Sequence, residues 1–155
     1  MKKIITFIAC LLITASAGLI GALATISQIP HWYAGLHKPS FNPPNWVFGP
    51  AWGILYIMMA TALYLVIVKP VSISKFGAYT VFFIQLILNA AWSVIFFGIH
   101  HVYEAFLVIM VLWFFILLCI LVFSHISKTA AYLLIPYIAW VTFAAFLNFY
   151  IWQLN

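Results

Sequence analysis

Residues 103–123 read YEAFLVIMVLWFFILLCILVF, and their single charged side chain, Glu104, lies at the start. The stretch matches the ~20 residues that an α-helix needs to cross the hydrocarbon core of a bilayer. Apolar side chains occupy every side of its turns, whereas a lipid-facing strand alternates apolar and polar residues. A helix also satisfies its own backbone hydrogen bonds where water is absent. The stretch therefore predicts a transmembrane helix.

Four further stretches of the same kind flank this one. The five predicted spans cover residues 4–27, 46–68, 76–99, 103–123 and 129–152. Of the 155 residues, 68% are hydrophobic and 5% are charged, against about 25% charged residues in an ordinary soluble domain. A chain with this few polar groups cannot cover its surface in water, and lipid must therefore cover it. We predict an all-α integral membrane protein, a single domain over residues 1–155, in which five transmembrane helices form a bundle with a long first loop rich in proline and aromatic residues.

The first span also has features of a secretory signal. Lys2 and Lys3 precede an apolar run, and Ala15-Ser16-Ala17 offers a small-residue cleavage site. The apolar run continues beyond that site as far as Ile26. We therefore expect a retained helix.

The basic charge predicts topology rather than nucleic-acid binding. The formal net charge is +5, and the cations lie between the apolar stretches, whereas a nucleic-acid-binding domain clusters its cations on one face. Five spans place the N-terminus, the second loop and the fourth loop on one side of the membrane. That side holds Lys2, Lys3, Lys69, Lys75 and Lys128, and the other side holds Lys38. Because lysines accumulate in cytoplasmic loops, we expect a cytoplasmic N-terminus and an outside C-terminus, in a membrane such as the bacterial inner membrane.

The first loop is the most unusual segment. Residues 30–45 read PHWYAGLHKPSFNPPN. Proline fixes φ and limits the unfolded ensemble, so the loop is pre-shaped. We expect a lid over the mouth of a cavity, with Trp32, Lys38, Pro39, Pro44 and Trp46 as its residues. For Trp32 and Trp46 a membrane-interface belt is an equal alternative, because tryptophan favours the headgroup level.

Polar residues of the third span predict a pocket beneath this loop. Gln85, Asn89 and Ser93 recur at helical spacing and share a face. Amides at membrane depth face protein or a cavity, and hydrogen bonding between helices is the alternative. An aromatic cavity with few amides suits a flat, largely apolar ligand. The predicted ligand-binding residues are Tyr33, Pro43, Phe48, Trp52, Tyr56, Asn89, Trp92, Ser93, Trp140, Ala144 and Asn148.

The sequence lacks the residues that hydrolytic catalysis and metal binding need. The chain has one acidic residue, so it provides no carboxylate pair for glycoside hydrolysis and no aspartate for a serine triad. Its histidines have no cysteine or carboxylate arranged to complete a metal site. The sequence predicts no metal site and no required cofactor.

These segments resemble the tryptophan-rich sensory protein family, TspO, also called translocator protein or peripheral benzodiazepine receptor. The likeness runs in order through nearly the whole chain. The matching residues are Trp32-Tyr33, Leu36, Lys38-Pro39, Pro43-Pro44, Trp46, Phe48-Gly49-Pro50, Trp52, Leu55-Tyr56, Gln85-Leu86, Leu88-Asn89, Trp92-Ser93, Phe96-Phe97-Gly98, Leu134-Ile135-Pro136-Tyr137, Trp140, Leu147-Asn148 and Leu154-Asn155.

The resemblance implies a membrane receptor or sensor for porphyrins such as protoporphyrin IX and for haem-related tetrapyrroles. It also implies benzodiazepine-type and isoquinoline-type ligands and a homodimer in membrane lipid. Two alternatives follow from it: an enzyme that degrades porphyrin in light and oxygen, with Trp52 and Trp140 as catalytic residues, and a transporter of tetrapyrrole or lipid. No cation follows Tyr150, so the cholesterol motif of animal members is incomplete and cholesterol binding is not expected. Phe41 stands where the family commonly has a tryptophan.

We expect reporters fused to the two ends of the chain to signal from opposite sides of the membrane. An N-terminal reporter should be active only in the cytoplasm and a C-terminal reporter only outside, because the lysine excess sets the orientation. An N-terminus found outside would overturn this topology.

Overall fold

The computed structural model describes residues 2–155, and within them it confirms the all-helical architecture. A 3₁₀ turn over Asn45–Val47 leads into the third helix, and a π-helical turn over Val94–Gly98 extends the fourth. The helices are α1 (Lys2–Thr25), α2 (Trp32–Gly35), α3 (Phe48–Val68), α4 (Phe76–Ser93), α5 (Val102–Ser124), α6 (Lys128–Leu133) and α7 (Ile135–Leu154).

Five segments are long and apolar enough to cross a membrane, as the sequence predicts. They are Lys2–Thr25, Asn45–Val68, Phe76–Gly98, Val102–Ser124 and Lys128–Leu154. The first begins and ends slightly earlier than the predicted 4–27. It ends at a tight turn, in which the N–H groups of Gln28 and Ile29 both bond to the carbonyl of Thr25 at 3.0 and 3.1 Å.

The last span is broken rather than continuous over the predicted 129–152. Pro136 lies in the first turn of α7, where its missing N–H removes no helical bond. The preceding turn tightens, and the N–H of Leu134 bonds to the carbonyl of Ala131 at 3.0 Å. The separate helix α6 is capped by Ser127, whose side chain accepts the N–H of Ala130. Both halves of this span pack on α5, and α6 also packs on α3.

The helices form a ring with one loose seam. Helix α1 packs on α3 and α4, helix α5 packs on α4 and α7, and α6 packs on α3 and α5. Close backbone contact between α3 and the last span is thus concentrated at α6. Near the first loop, side chains of α3 and α7 contact one another.

Small residues let α1 approach α3. A Cβ added at Gly18 would lie 2.7 Å from the ring of Tyr56. The Thr14 hydroxyl donates to the Tyr56 carbonyl at 3.2 Å. The absence of a side chain at Gly18 therefore leaves the space that the Tyr56 ring occupies.

The two ends of the bundle differ in charge. Helix α1 begins, α3 ends and α6 begins at what we call the lysine-rich end, which holds Lys2, Lys3, Lys69, Lys75 and Lys128. The opposite end, which we call the loop-covered end, carries the first loop between α1 and α3. The C-terminus of α7 lies there too.

Candidate functional site

Aromatic rings fill the loop-covered end of the seam between α3 and α7. We call this set the aromatic cluster. One row of contacts runs from Tyr33 to Phe48 to Trp140, with ring centroids 6.5 and 6.2 Å apart. The cluster comprises Tyr33, Phe48, Trp52, Tyr56, Trp92, Tyr137, Trp140 and Phe143.

Trp52 connects this row to the bundle interior. Its ring lies 5.8 Å from Tyr56, 6.5 Å from Trp92 and 6.3 Å from Tyr137 between centroids. Such distances are those of interacting aromatic pairs. The rings therefore occupy the space where the sequence predicts a cavity, and a flat ligand would have to part them.

A chain of hydrogen bonds underlies the cluster. The Tyr56 hydroxyl donates to Asn89 Oδ1 at 2.6 Å, and Asn89 Nδ2 donates to the Tyr137 hydroxyl at 3.0 Å. That hydroxyl in turn donates to Gln85 Oε1 at 2.9 Å. Gln85, Asn89 and Tyr137 are 1% exposed or less. The hydrogen-bonded set, which we call the polar node, joins α3, α4 and α7 and consists of Tyr56, Gln85, Asn89 and Tyr137.

A second pair of bonds holds the loop-covered end together. Trp92 Nε1 donates to Asn148 Oδ1 at 3.0 Å. Asn148 Nδ2 donates to the carbonyl of Val102 at 2.8 Å, at the start of α5. The amides of Asn89 and Asn148 thus bond between helices, which is the alternative that the sequence leaves open for such residues.

Trp140 is the exception to this pattern. Its indole Nε1 is buried and is the one buried side-chain nitrogen or oxygen without a hydrogen-bond partner among the described residues. The indoles of Trp92 and Trp113 both have partners, the latter in the Thr142 hydroxyl at 2.8 Å. An unsatisfied buried donor costs about 1–3 kcal/mol. Trp140 therefore presents a donor that lacks an acceptor, inside the aromatic cluster.

The first loop is ordered by its own contacts. Tyr33 is 3% exposed, and its hydroxyl donates to Asn42 Oδ1 at 2.7 Å. Burial raises the pKa of Tyr33 to about 12, while the bond to Asn42 opposes that rise. The Lys38 ammonium lies 4.9 Å from the centroid of the Tyr33 ring and donates to the Leu36 carbonyl at 3.0 Å. The loop thus presents a neutral phenol and a half-buried cation.

Two side-chain contacts hold this loop to the bundle. Asn155 accepts the N–H of His37 and donates to its carbonyl, each at 3.0 Å. On the other side, Trp32 stacks on His100 with centroids 4.2 Å apart. His100 Nε2 lies 3.0 Å from Gln28 Oε1, and its φ of 62° is unusual for a residue other than glycine.

Several predicted site residues lie apart from the cluster. Ser93 faces α1, since a Cβ at Gly21 would lie 3.1 Å from its hydroxyl oxygen. Trp46 is 74% exposed. Trp32 packs on Phe96 and His100, away from Trp140.

The remaining predicted residues lie in or beside the loop and cluster. Ala144 is buried one turn beyond Trp140. The Pro43 carbonyl accepts Asn42 Nδ2 at 3.0 Å. Pro39 is half-buried and Pro44 is exposed, immediately before the 3₁₀ turn.

The predicted set of ligand-binding residues omits Tyr137 and Phe143, which the structure brings into the cluster. Tyr137 could have been found, because it shares a helical face with Trp140 and Ala144 at spacings of three and seven. Phe143 has no such signal, since a phenylalanine at that position is equally suited to lipid. Among the described residues no three histidine, cysteine or acidic side chains come together.

Tyr137→Phe should destabilise the protein by about 1–2 kcal/mol, because it leaves the amides of Gln85 and Asn89 buried without their shared partner. The free energy of unfolding in detergent measures this. Tyr150→Phe on the same helix is the matched control, since Tyr150 is 44% exposed and should tolerate the change. Equal stability of the two variants would remove the polar node from the account.

Comparison with known proteins identifies the family. The model of the TspO/MBR family matches residues 9–153. The tryptophan-rich protein TspO of Chlorobaculum tepidum is 43% identical over 155 residues, covering 99% of this chain and 98% of the relative. The tryptophan-rich sensory protein of Cereibacter sphaeroides is 33% identical, with 91% and 87% covered. The human translocator protein is 39% identical, with 80% and 75% covered. The chain therefore belongs to the TspO/MBR family.

Proposed function

We propose that this protein is a membrane receptor or sensor that binds porphyrins, such as protoporphyrin IX and haem-related tetrapyrroles, within the aromatic cluster. Ligands of the benzodiazepine and isoquinoline types would occupy the same place. The observation that carries the proposal is the buried indole N–H of Trp140, which has no acceptor in the described chain. A ligand that supplies an acceptor there recovers the cost of that unsatisfied donor.

The cluster suits a ligand that is flat and carries an acidic or carbonyl oxygen. Phe48, Trp52 and Trp140 offer aromatic faces and edges to a planar ring. The chain's single acidic side chain, Glu104, lies outside the cluster, with its Oε1 atom 3.7 Å from His101 Nδ1. Lys38 is the one lysine at this end of the bundle. A porphyrin combines a large planar ring with carboxylates. The ring has a counterpart in the aromatic side chains, and the carboxylates have one in Lys38.

The seam between α3 and α7 offers a path for the rings to separate. Aromatic side chains of α3 and α7 contact one another there, while close backbone packing between α3 and the last span is concentrated at α6. The first loop covers this region and is fastened by Asn155 and by the stack of Trp32 on His100. Entry of a ligand therefore requires ring movement and loop opening, while the polar node keeps the helices in register.

The expected topology would place this site in the outer half of the membrane. We propose that the protein lies in the bacterial inner membrane with its N-terminus in the cytoplasm, on the basis of the lysine excess. A sensory role accords with the name of the Cereibacter sphaeroides relative. The homodimer that the family resemblance implies is part of the same proposal.

Light-driven breakdown of the bound porphyrin is the second candidate function. The observation that favours it is the contact of Trp52 with Trp92 and Tyr56. These oxidisable rings would lie beside an excited porphyrin. Molecular oxygen would be the oxidant and the porphyrin the group oxidised.

We expect Trp140→Phe to weaken protoporphyrin IX binding about tenfold, which corresponds to about 1.4 kcal/mol, because it removes the donor and keeps an aromatic ring. Titration in darkness, followed by tryptophan quenching, measures the Kd. Trp46→Phe is the matched control, since it removes an indole from an exposed loop position. Saturable binding with the same Kd in wild type and both variants would contradict the proposed contact.

The same samples separate the candidate roles. At saturating porphyrin, a loss of porphyrin under light and oxygen that Trp140→Phe abolishes would assign the enzymatic role. Binding without such a loss would support the receptor role. Flux of the ligand into liposomes would identify a transporter.

A further inference from the structure

A groove lies at the lysine-rich end, outside the aromatic cluster. It has a volume of about 380 Å³ and runs between the start of α1 and the end of α3. Phe7 and Tyr64 meet edge to face across it, with centroids 5.4 Å apart. Its lining residues are Lys3, Ile4, Phe7, Thr61, Tyr64 and Leu65. Lys3 is the one charged residue of this lining, and it lies at the end nearest the helix terminus.

The lysines of this end have no acidic partner in the chain. Glu104, the one acidic residue, begins α5 at the loop-covered end. Lys75 instead donates to the carbonyls of Ile67 and Lys69 at 2.9 and 2.7 Å, where α3 ends. Lys2 and Lys3 are exposed. Their counterions must therefore come from outside the protein.

We propose that this groove is a binding site for an anionic phospholipid. One acyl chain lies along Ile4, Phe7 and Leu65, and the phosphate is held by Lys3 with support from Lys2. A lysine side chain extends its ammonium toward the headgroup level while its methylenes stay on apolar surface. Burial of apolar chain surface in the groove adds to this attraction.

The charge distribution selects an anionic headgroup over a zwitterionic one. Five lysines and no acid surround this end of the bundle. A zwitterionic lipid would bring a cationic group into that field, whereas an anionic lipid brings a net negative charge. Each lysine near an anionic surface adds to this attraction.

Lipid add-back to the delipidated, purified protein tests the charge requirement. Native mass spectrometry should show phosphatidylglycerol retained in preference to phosphatidylcholine with the same chains. Lys3→Gln should weaken retention of phosphatidylglycerol about fivefold, which is the ~1 kcal/mol of one lysine. Lys128→Gln is the matched control, because it removes the same charge at the same end from a residue that does not line the groove, and retention should fall less than in Lys3→Gln.

A second pair of variants tests the apolar groove. Thr61→Trp fills the groove while every lysine remains, and it should abolish the retained lipid. Thr80→Trp is its control: both threonine hydroxyls bond to the carbonyl four residues earlier, at 2.8 and 3.0 Å, but Thr80 faces outward on α4 and should retain lipid. Inorganic phosphate should not displace the bound phospholipid.

Three results would overturn the site. One is equal retention of the two lipids by the wild-type protein. Another is equal loss in Lys3→Gln and Lys128→Gln, which would indicate a general effect of charge. The third is full retention in Thr61→Trp, which would show that the groove holds no acyl chain.

Discussion

The hydroxyl of Tyr137 is the group on which the arrangement of this bundle depends. It accepts a bond from Asn89 and donates one to Gln85, and Tyr56 completes the set from α3. In a bilayer core no water can replace a lost partner. Three helices whose surfaces are otherwise apolar are thereby held in one register. Dispersion and lipid alone would define that register poorly, because lipid tails are as apolar as the side chains that they contact.

The position of the aromatic cluster follows from this constraint. Tyr56 and Tyr137 each use the hydroxyl for the polar node and turn the ring toward Trp52. Helix α7 begins after the break at Leu134, with Pro136 in its first turn, and the rings of Phe48 and Trp140 join α3 to α7. Trp140 has its N–H unpaired there, whereas Trp92 and Trp113 have partners. The polar node, with Tyr56 and Tyr137, is thus the fixed part of the site, and the rings of Phe48 and Trp52 are the part that a ligand can rearrange.

Hydropathy was enough to predict the five spans, because one property averaged over ~20 residues decides whether a helix can cross the membrane. The same averaging hides the break before α7, although Pro136 marks it. Gln85 and Asn89 were predicted to face the interior, but periodicity along α4 cannot reveal that their partner is Tyr137 on another helix. Ser93 shares their spacing, yet two steps of four residues rotate it by about 80°. That rotation brings it to α1, where Gly21 leaves room for it. The pairing of Asn155 with His37 joins the C-terminus to the first loop, and no local pattern signals it.

The central claim is that the ligand contacts Trp140 inside the aromatic cluster. Determination of the structure of the protein with bound protoporphyrin IX tests this most directly. The account predicts an oxygen of the ligand about 2.7–3.2 Å from Trp140 Nε1, rings of Phe48 and Trp52 moved aside, and the four hydrogen-bonded residues of the polar node unchanged. A porphyrin bound elsewhere, with Trp140 Nε1 still unpaired and the cluster still closed, would contradict it.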